Sequence, residues 1–360
     1  MSGQELLRCK RSLCPIPLVP NPCCNSIVSL GGEAMRRRRF IHGIAACVAW
    51  PLAARAQQQV PVVGFLGNQS PEVYATRLRI FREGLKEAGY VEGENVAIEY
   101  RWTGGQSDLL PKLAGELIQL RVALLVVASG TAGAVAAKSA TTTIPIVFGV
   151  AVDPVKAGLV ASLNRPGGNL TGVTNLNVEI GPKRLELLHA LLPTATAFAV
   201  LVDPTGVVLA DDFTRGVQAA ARSLGLQLHV LNASSEQDFN SVFAASARLH
   251  ASALIIGPGN LFSTRSEQLG ALAAHYKMPA IGLWPEFATG GGLLSYGSDE
   301  SEYCRLIGVY AGRILKGEKP AELPVQESTK VKLIINLKTA KALGITVPLS
   351  LLGRADEVIE

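Results

Sequence analysis

Six cysteines are all that 360 residues contain, and their distribution rules out a disulfide framework. Cys9, Cys14, Cys23 and Cys24 fall within the first 34 residues and Cys47 soon after, leaving Cys304 alone over the rest of the chain. No C-x-x-C or H-x-x-x-H pair occurs, and His189, His229, His250 and His275 are scattered, so neither a metal centre nor a cofactor is expected. The nucleophile elbow G-x-S-x-G, the phosphate loop G-x-x-x-x-G-K and the dinucleotide fingerprint G-x-G-x-x-G are missing as well. The nearest imitation, Ser129-Gly130-Thr131-Ala132-Gly133, lacks both the lysine and the spacing. A long apolar run is also lacking. The stretch from Ile44 to Ala54, broken by Pro51, is far short of the roughly 20 residues that cross a bilayer.

What stands at the amino terminus is a leader. Met35 precedes Arg36-Arg37-Arg38-Arg39-Phe40-Ile41, the apolar stretch comes next, and Ala54-Arg55-Ala56 has the small-x-small form at which signal peptidases cut. The Arg37-Arg38-x-Phe40-Ile41 run gives it a twin-arginine character, an address that a receptor reads and not an anchor. Residues 1–34 share neither period nor composition with the rest of the chain and read as an upstream extension, so Met35 is expected to be the start. Residues 35–56 are then the export signal, cleaved after Ala56. Ile44-Ala45-Ala46-Cys47 also has the form of a lipoprotein box, which keeps a lipid anchor at Cys47 as the lesser alternative.

Removing the leader reverses the sign of the charge. The whole chain carries a formal net charge of +5, but residues 1–56 hold eight of its 34 lysines and arginines and two of its 29 acids. The remaining 26 bases face 27 acids, a net of −1. A nucleic-acid partner, which demands a clustered basic face, is therefore not expected.

From Val60 onward, short apolar runs alternate with helical patterns. Runs end at Leu66, Ala128, Val150, Val202 and Ile256, each succeeded by turn residues and then an amphipathic segment. Fully apolar short strands between helices mark parallel sheets covered on both faces. The rhythm breaks after Asp153, at the turn cluster Arg165-Pro166-Gly167-Gly168-Asn169, and then resumes. The expected fold class is thus α/β, with two doubly wound parallel-sheet lobes joined by crossover strands. Lobe 1 is placed at 57–173 and lobe 2 at 174–290, with 291–360 returning between them. The thinner strands at 170–176 and 291–296 are the expected places of passage.

Several stretches together resemble the type I periplasmic binding-protein fold, and more narrowly the ABC-transporter substrate-binding family that includes the tryptophan/tyrosine-type binding proteins. They are the leader ending in Trp50-Pro51-Leu52-Ala53-Ala54-Arg55-Ala56-Gln57, then Gly64-Phe65-Leu66-Gly67, Phe81-Arg82-Glu83-Gly84-Leu85-Lys86-Glu87-Ala88-Gly89-Tyr90 and Asn95-Val96-Ala97-Ile98-Glu99-Tyr100-Arg101. Ile144-Pro145-Ile146-Val147-Phe148 with Asp153-Pro154, and Gly158-Leu159-Val160 through Arg165-Pro166-Gly167-Gly168-Asn169-Leu170-Thr171-Gly172, complete the set. The resemblance implies a periplasmic monomer that binds a small ligand, by family an amino acid, and delivers it to an ABC permease in the inner membrane without catalysis.

In open parallel sheets, ligands sit beyond the carboxyl ends of the strands, where helix N-termini converge. That rule selects Asn68, Gln69, Ser70, Ser129, Gly130, Thr131 and Asp153 in lobe 1. In lobe 2 it selects Asp203, Asn260, Trp284 and Glu286. Ser129 and Thr131 would hold a carboxylate and Asp203 or Glu286 an ammonium group, while Trp284, Phe148 or Tyr74 would cover an apolar side chain. Ordinary capping and turn roles explain Ser129, Thr131, Asp153 and Asp203 equally well. An α/β enzyme acting on a small metabolite and the sensing domain of a receptor remain the rival readings.

Overall fold

The computed structural model describes residues 60–175 and 177–360. The leader, the extension before Met35, the cleavage point and Cys47 lie outside the described residues. Two sheets form, each the centre of one lobe. The first has six parallel strands: β1 (Val62–Gly67), β2 (Ala97–Trp102), β3 (Leu124–Ala128), β4 (Ile146–Val150), β5 (Leu170–Asn175) and β11 (Gln326–Ser328). Their order is β11-β5-β4-β3-β1-β2. The second has seven strands: β6 (Ala197–Val202), β7 (Gln227–Asn232), β8 (Leu254–Ile256), β9 (Ala280–Gly282), β10 (Leu294–Ser298), β12 (Val331–Asn336) and β13 (Glu357–Ile359). Their order is β13-β12-β10-β9-β8-β6-β7. All neighbours run parallel except β10 and β12. The expected pair of doubly wound lobes is the observed architecture.

Burial on both faces explains why the central strands read as unbroken apolar runs. In β3, Leu124 and Val126 enter one core with Val63 and Phe65 of β1, while Leu125 and Val127 enter the opposite core with Leu66 and Phe148. Helix α1 (Ala75–Glu87) covers the first face together with α10 (Glu300–Leu315); α2 (Leu110–Gln119) and α3 (Gly130–Ala140) cover the second. The second sheet is built alike. Val200 and Ile255 face α4 (Gly181–Leu191) and α5 (Val207–Ser223). Leu201 and Leu254 face α6 (Asp238–Arg248) and α8 (Ser266–His275). Each of these large side chains contributes on the order of 1.5–3 kcal/mol by leaving water. Gly89 stops α1 in the left-handed region: it has φ 90°, and its N–H donates to the Lys86 carbonyl at 2.8 Å.

The chain passes between the sheets after β5, again between Ser298 and Glu300, and a third time between Ser328 and Val331. The strands expected at 170–176 and 291–296 are themselves full members of the first and second sheets, and each passage comes after its strand. Arg184 of α4, with no exposed surface, clasps the first two passages. Its Nε donates to the Tyr296 carbonyl at 2.7 Å and its Nη1 to the Asn177 carbonyl at 3.0 Å. The Asn177 side-chain oxygen accepts in turn from the Ser298 N–H at 2.9 Å. The third passage is tied to the second, because the Asp299 N–H donates to the Lys330 carbonyl at 2.8 Å and Lys332 pairs with the Asp299 carboxylate. Among the short pieces that have no apolar run of their own are β11, β13, α7 (Asn260–Thr264) and α9 (Pro285–Thr289). Helix α5 begins at Val207, after a turn held by the Asp203 side chain.

Candidate functional site

The carboxyl ends of the strands of both sheets open onto one cleft of about 780 Å³. Asn68 and Gln69 come directly after β1, Gly130 and Thr131 begin α3 after β3, and Gly149 and Val150 end β4. From the second lobe come Asp203 after β6, Asn260 at the start of α7 and Trp284 before α9. Of the residues selected from sequence, Asn68, Gln69, Gly130, Thr131, Asp203, Asn260 and Trp284 stand in the cleft wall together.

The other five are placed elsewhere, each for a physical reason. Phe148 has no exposed surface, because alternation along β4 turns its ring into the core beneath α2 and α3; the next two residues reach the cleft instead. Ser129 is fully buried, and its hydroxyl, bonded to no partner, is packed against Gly133 of its own helix. It makes no side-chain cap for α3, contrary to the capping role considered for it. Asp153 caps the turn after β4, accepting from the Val155 and Lys156 N–H groups at 2.8 and 3.3 Å. Ser70 accepts weakly from the Val73 N–H at 3.5 Å. Glu286 lies off the cleft wall, with its carboxylate 3.6 Å from Arg77.

Arg77 is the principal residue that sequence reading missed. It occupies α1 on the buried stripe of Tyr74, Leu78, Phe81 and Leu85, where a lone base among apolar residues at helical spacing was the available signal. Its Nη1 donates to Gln69 Oε1 at 2.7 Å and its Nε to Glu300 Oε2 at 3.0 Å, and its cation lies 5.7 Å from the centre of the Tyr74 ring. Burial opposes its charge, but Glu300 and Glu286 outweigh burial and hold the guanidinium protonated more firmly than usual. Tyr74 and Tyr303, both on the cleft wall, are pushed well above the ordinary phenol range, first by burial, and present neutral hydroxyls.

Burial likewise raises the Glu300 carboxyl above its ordinary value of 4.5, with Arg77 opposing. A carboxyl that binds its proton more tightly folded than unfolded contributes less stability as pH climbs from the unfolded value through the folded one. Glu300→Gln can still accept the bond from Arg77. Its melting temperature relative to wild type is therefore expected to improve as the pH is raised above 4.5. A difference independent of pH would sink this account.

The charge inventory of the cleft is short. Arg77, Asp203 and Glu300 are the charged residues on the described wall, and the one base already faces two carboxylates. The Asp203 Oδ1 accepts from the Thr205 N–H and hydroxyl at 2.9 and 2.6 Å, which leaves Oδ2 for another donor. Gly130, at φ 72°, begins α3 in a conformation that suits glycine, and a side chain there would press on Asn260. The exposed Val135, Val207 and Val208 supply apolar surface around these polar groups. Among the described residues no group of three or more His, Cys, Asp or Glu is arranged to hold a metal ion, and no helix is long and apolar enough to cross a membrane.

Two doubly wound lobes, linked by three short passages and enclosing a cleft at their strand ends, define a clamp for a small ligand. The model of the ABC transporter substrate binding protein family matches residues 59–359, and the chain belongs to that family. A tyrosine-binding protein of Clostridioides difficile is 27% identical over 266 residues, 74% of this chain and 75% of that protein. A solved structure of a conserved domain protein from Vibrio cholerae superposes with a TM-score of 0.76 at 28% identity, covering 83% of this chain and 100% of that one. A pneumococcal ABC domain in complex with L-Trp gives 0.74 at 26% identity, with 83% and 99% covered. The fold is therefore the type I periplasmic binding-protein fold, as the sequence resemblance implied.

Proposed function

We propose that this protein is the periplasmic component of an ABC importer, exported by its leader, and that it binds an amino acid with an apolar or aromatic side chain for delivery to a permease. The charge inventory carries this reading. A described cleft wall with two carboxylates and, among its described residues, no unpaired base disfavours anionic ligands and suits one that brings an ammonium group. The Asp203 carboxylate is the candidate partner for that group. The N–H groups at the start of α3, at Gly130 and Thr131, are candidates for the ligand carboxylate. Trp284 and the valines would cover the side chain. The binding of tyrosine and of L-Trp by relatives agrees with this chemistry. The protein performs no reaction in this scheme. The ligand favours closure only by its greater affinity for the closed clamp.

A melting screen over amino acids, aromatic acids and neutral sugars tests the reading. A ligand at 100 times its Kd adds about 2.7 kcal/mol, which for a chain of this size raises the melting temperature by roughly 5–10 °C. Aromatic or branched amino acids are expected to give that shift and their deaminated acids none. Shifts produced only by sugars or by carboxylic acids without an amine would refute it.

A further inference from the structure

We infer that the Arg77–Glu286 pair is a latch that biases the clamp toward closure and sets the apparent affinity of the cleft without touching the ligand. The inference rests on the clamp reading above. Arg77 is fixed in the first lobe: Gln69 comes after β1, and Glu300 begins α10, whose Leu306, Ile307 and Tyr310 are packed in the same core as α1. Its third partner is different. Glu286 belongs to α9, whose Phe287 is part of the core of the second lobe, and its carboxylate meets Arg77 Nη2 at 3.6 Å across the gap between lobes. Separating the lobes removes Glu286 from Arg77 and leaves the bonds to Gln69 and Glu300 intact. A second bond crosses in the same way, with Asn260 Nδ2 donating to the Ser129 carbonyl at 3.2 Å. Both contacts join protein to protein and need no ligand atom.

The consequence is quantitative. A ligand that binds the closed form has an apparent dissociation constant equal to its intrinsic one divided by the closed fraction of the free protein. Arg77 is nearly buried, with its side chain 10% exposed, so its charge is poorly screened; Glu286, at 53%, is accessible and can be replaced without opening a core. Asn260 lines the cleft and would confuse latch with ligand contact, so Glu286 is the residue to change.

The test is small-angle scattering on the mature protein without any added amino acid, for wild type, Glu286→Gln and Glu286→Arg, and then stopped-flow binding of L-tryptophan and L-tyrosine. The radius of gyration is expected to rise in the order wild type, Gln, Arg, because the arginine places like charges together. The dissociation constant of whichever amino acid binds is expected to rise about tenfold for Glu286→Arg, chiefly through faster dissociation, with the melting temperature of the free protein little changed. Scattering curves that coincide for all three proteins overturn the latch. If wild type binds neither amino acid, the aromatic form of the amino-acid reading falls while the scattering series still decides the latch. If Glu286→Arg does not fold, Glu286→Gln against wild type decides it alone.

Discussion

Gly84→Ala is expected to lower the melting temperature by on the order of 6–10 °C, although alanine is the better helix former. On an exposed helix the exchange gains about 0.5–1 kcal/mol. Here the geometry reverses the sign. A Cβ at Gly84 in α1 would run into the Arg305 carbonyl of α10, and one at Gly308 in α10 would run into the Phe81 carbonyl of α1. A Cβ at Gly312, a turn beyond Gly308, would meet the Ala88 Cβ just past the end of α1. The two helices thus meet backbone to backbone, and neither obstructing atom belongs to a side chain that can rotate away. Overpacking of this kind costs typically 1–3 kcal/mol and more where the backbone must move; the upper end, about 3 kcal/mol, at roughly 2–4 °C per kcal/mol gives a drop of that order. Gly115 in α2 supplies the control, since nothing lies within 4 Å of its added Cβ. Gly115→Ala is expected to melt a few degrees above wild type. Thermal denaturation of Gly84→Ala, Gly308→Ala and Gly115→Ala decides the matter, and equal shifts in all three would refute the helix contact as the cause.

That contact also shows where sequence reading stops. The run Phe81-Arg82-Glu83-Gly84-Leu85 was legible as an amphipathic helix with a glycine inside it, but its reason lies 221 residues away, at Arg305. The lobes were legible because burial on both faces forces continuous apolar strands, and turn residues punctuate them. The loops at strand ends were legible by the same rule, which put Asn68, Gly130, Asp203 and Asn260 at one cleft. Side-chain direction was not. Phe148 and Val150 enter the same core from β4, and only the position of Val150 at the strand end brings it to the cleft wall as well. Edge strands such as Gln326–Ser328, three residues long and mostly exposed, have no apolar period to betray them. Arg77 and Glu300 are 223 positions apart, and no local pattern joins them; the anomaly of a base on an apolar stripe was present, its partner was not.

Asp203→Asn is expected to weaken binding of L-tyrosine or L-tryptophan by about 10–100-fold, which is the 1.5–3 kcal/mol of a hydrogen bond to a charged group. The substitution is chosen to leave the loop in place. An asparagine carbonyl can still accept from the Thr205 N–H and hydroxyl, as the Asp203 Oδ1 does, so the turn that starts α5 persists. What is lost is charge at Oδ2, which lies beside Gly259 of the cleft wall. The decisive measurement is a cycle that changes protein and ligand together. Titration calorimetry of wild type and Asp203→Asn is run with L-tyrosine, with tyramine and with 3-(4-hydroxyphenyl)propionate, which lack the carboxylate and the amine respectively. Two like charges about 6 Å apart at an effective dielectric constant near 20 repel by roughly 3 kcal/mol. Wild type should therefore reject the propionate more strongly than tyramine. Removing one cleft carboxylate should weaken both amines and improve the propionate, giving effects of opposite sign. Equal losses for all three ligands would mean that Asp203 acts only through the loop. A gain for both carboxylate-bearing ligands, tyrosine and the propionate, with tyramine unchanged, would place the ligand carboxylate at Asp203 and overturn the orientation proposed for the amino acid. Because Glu300 is spent on Arg77 while the Asp203 Oδ2 is not, a Glu300→Gln variant should change the three affinities far less than Asp203→Asn.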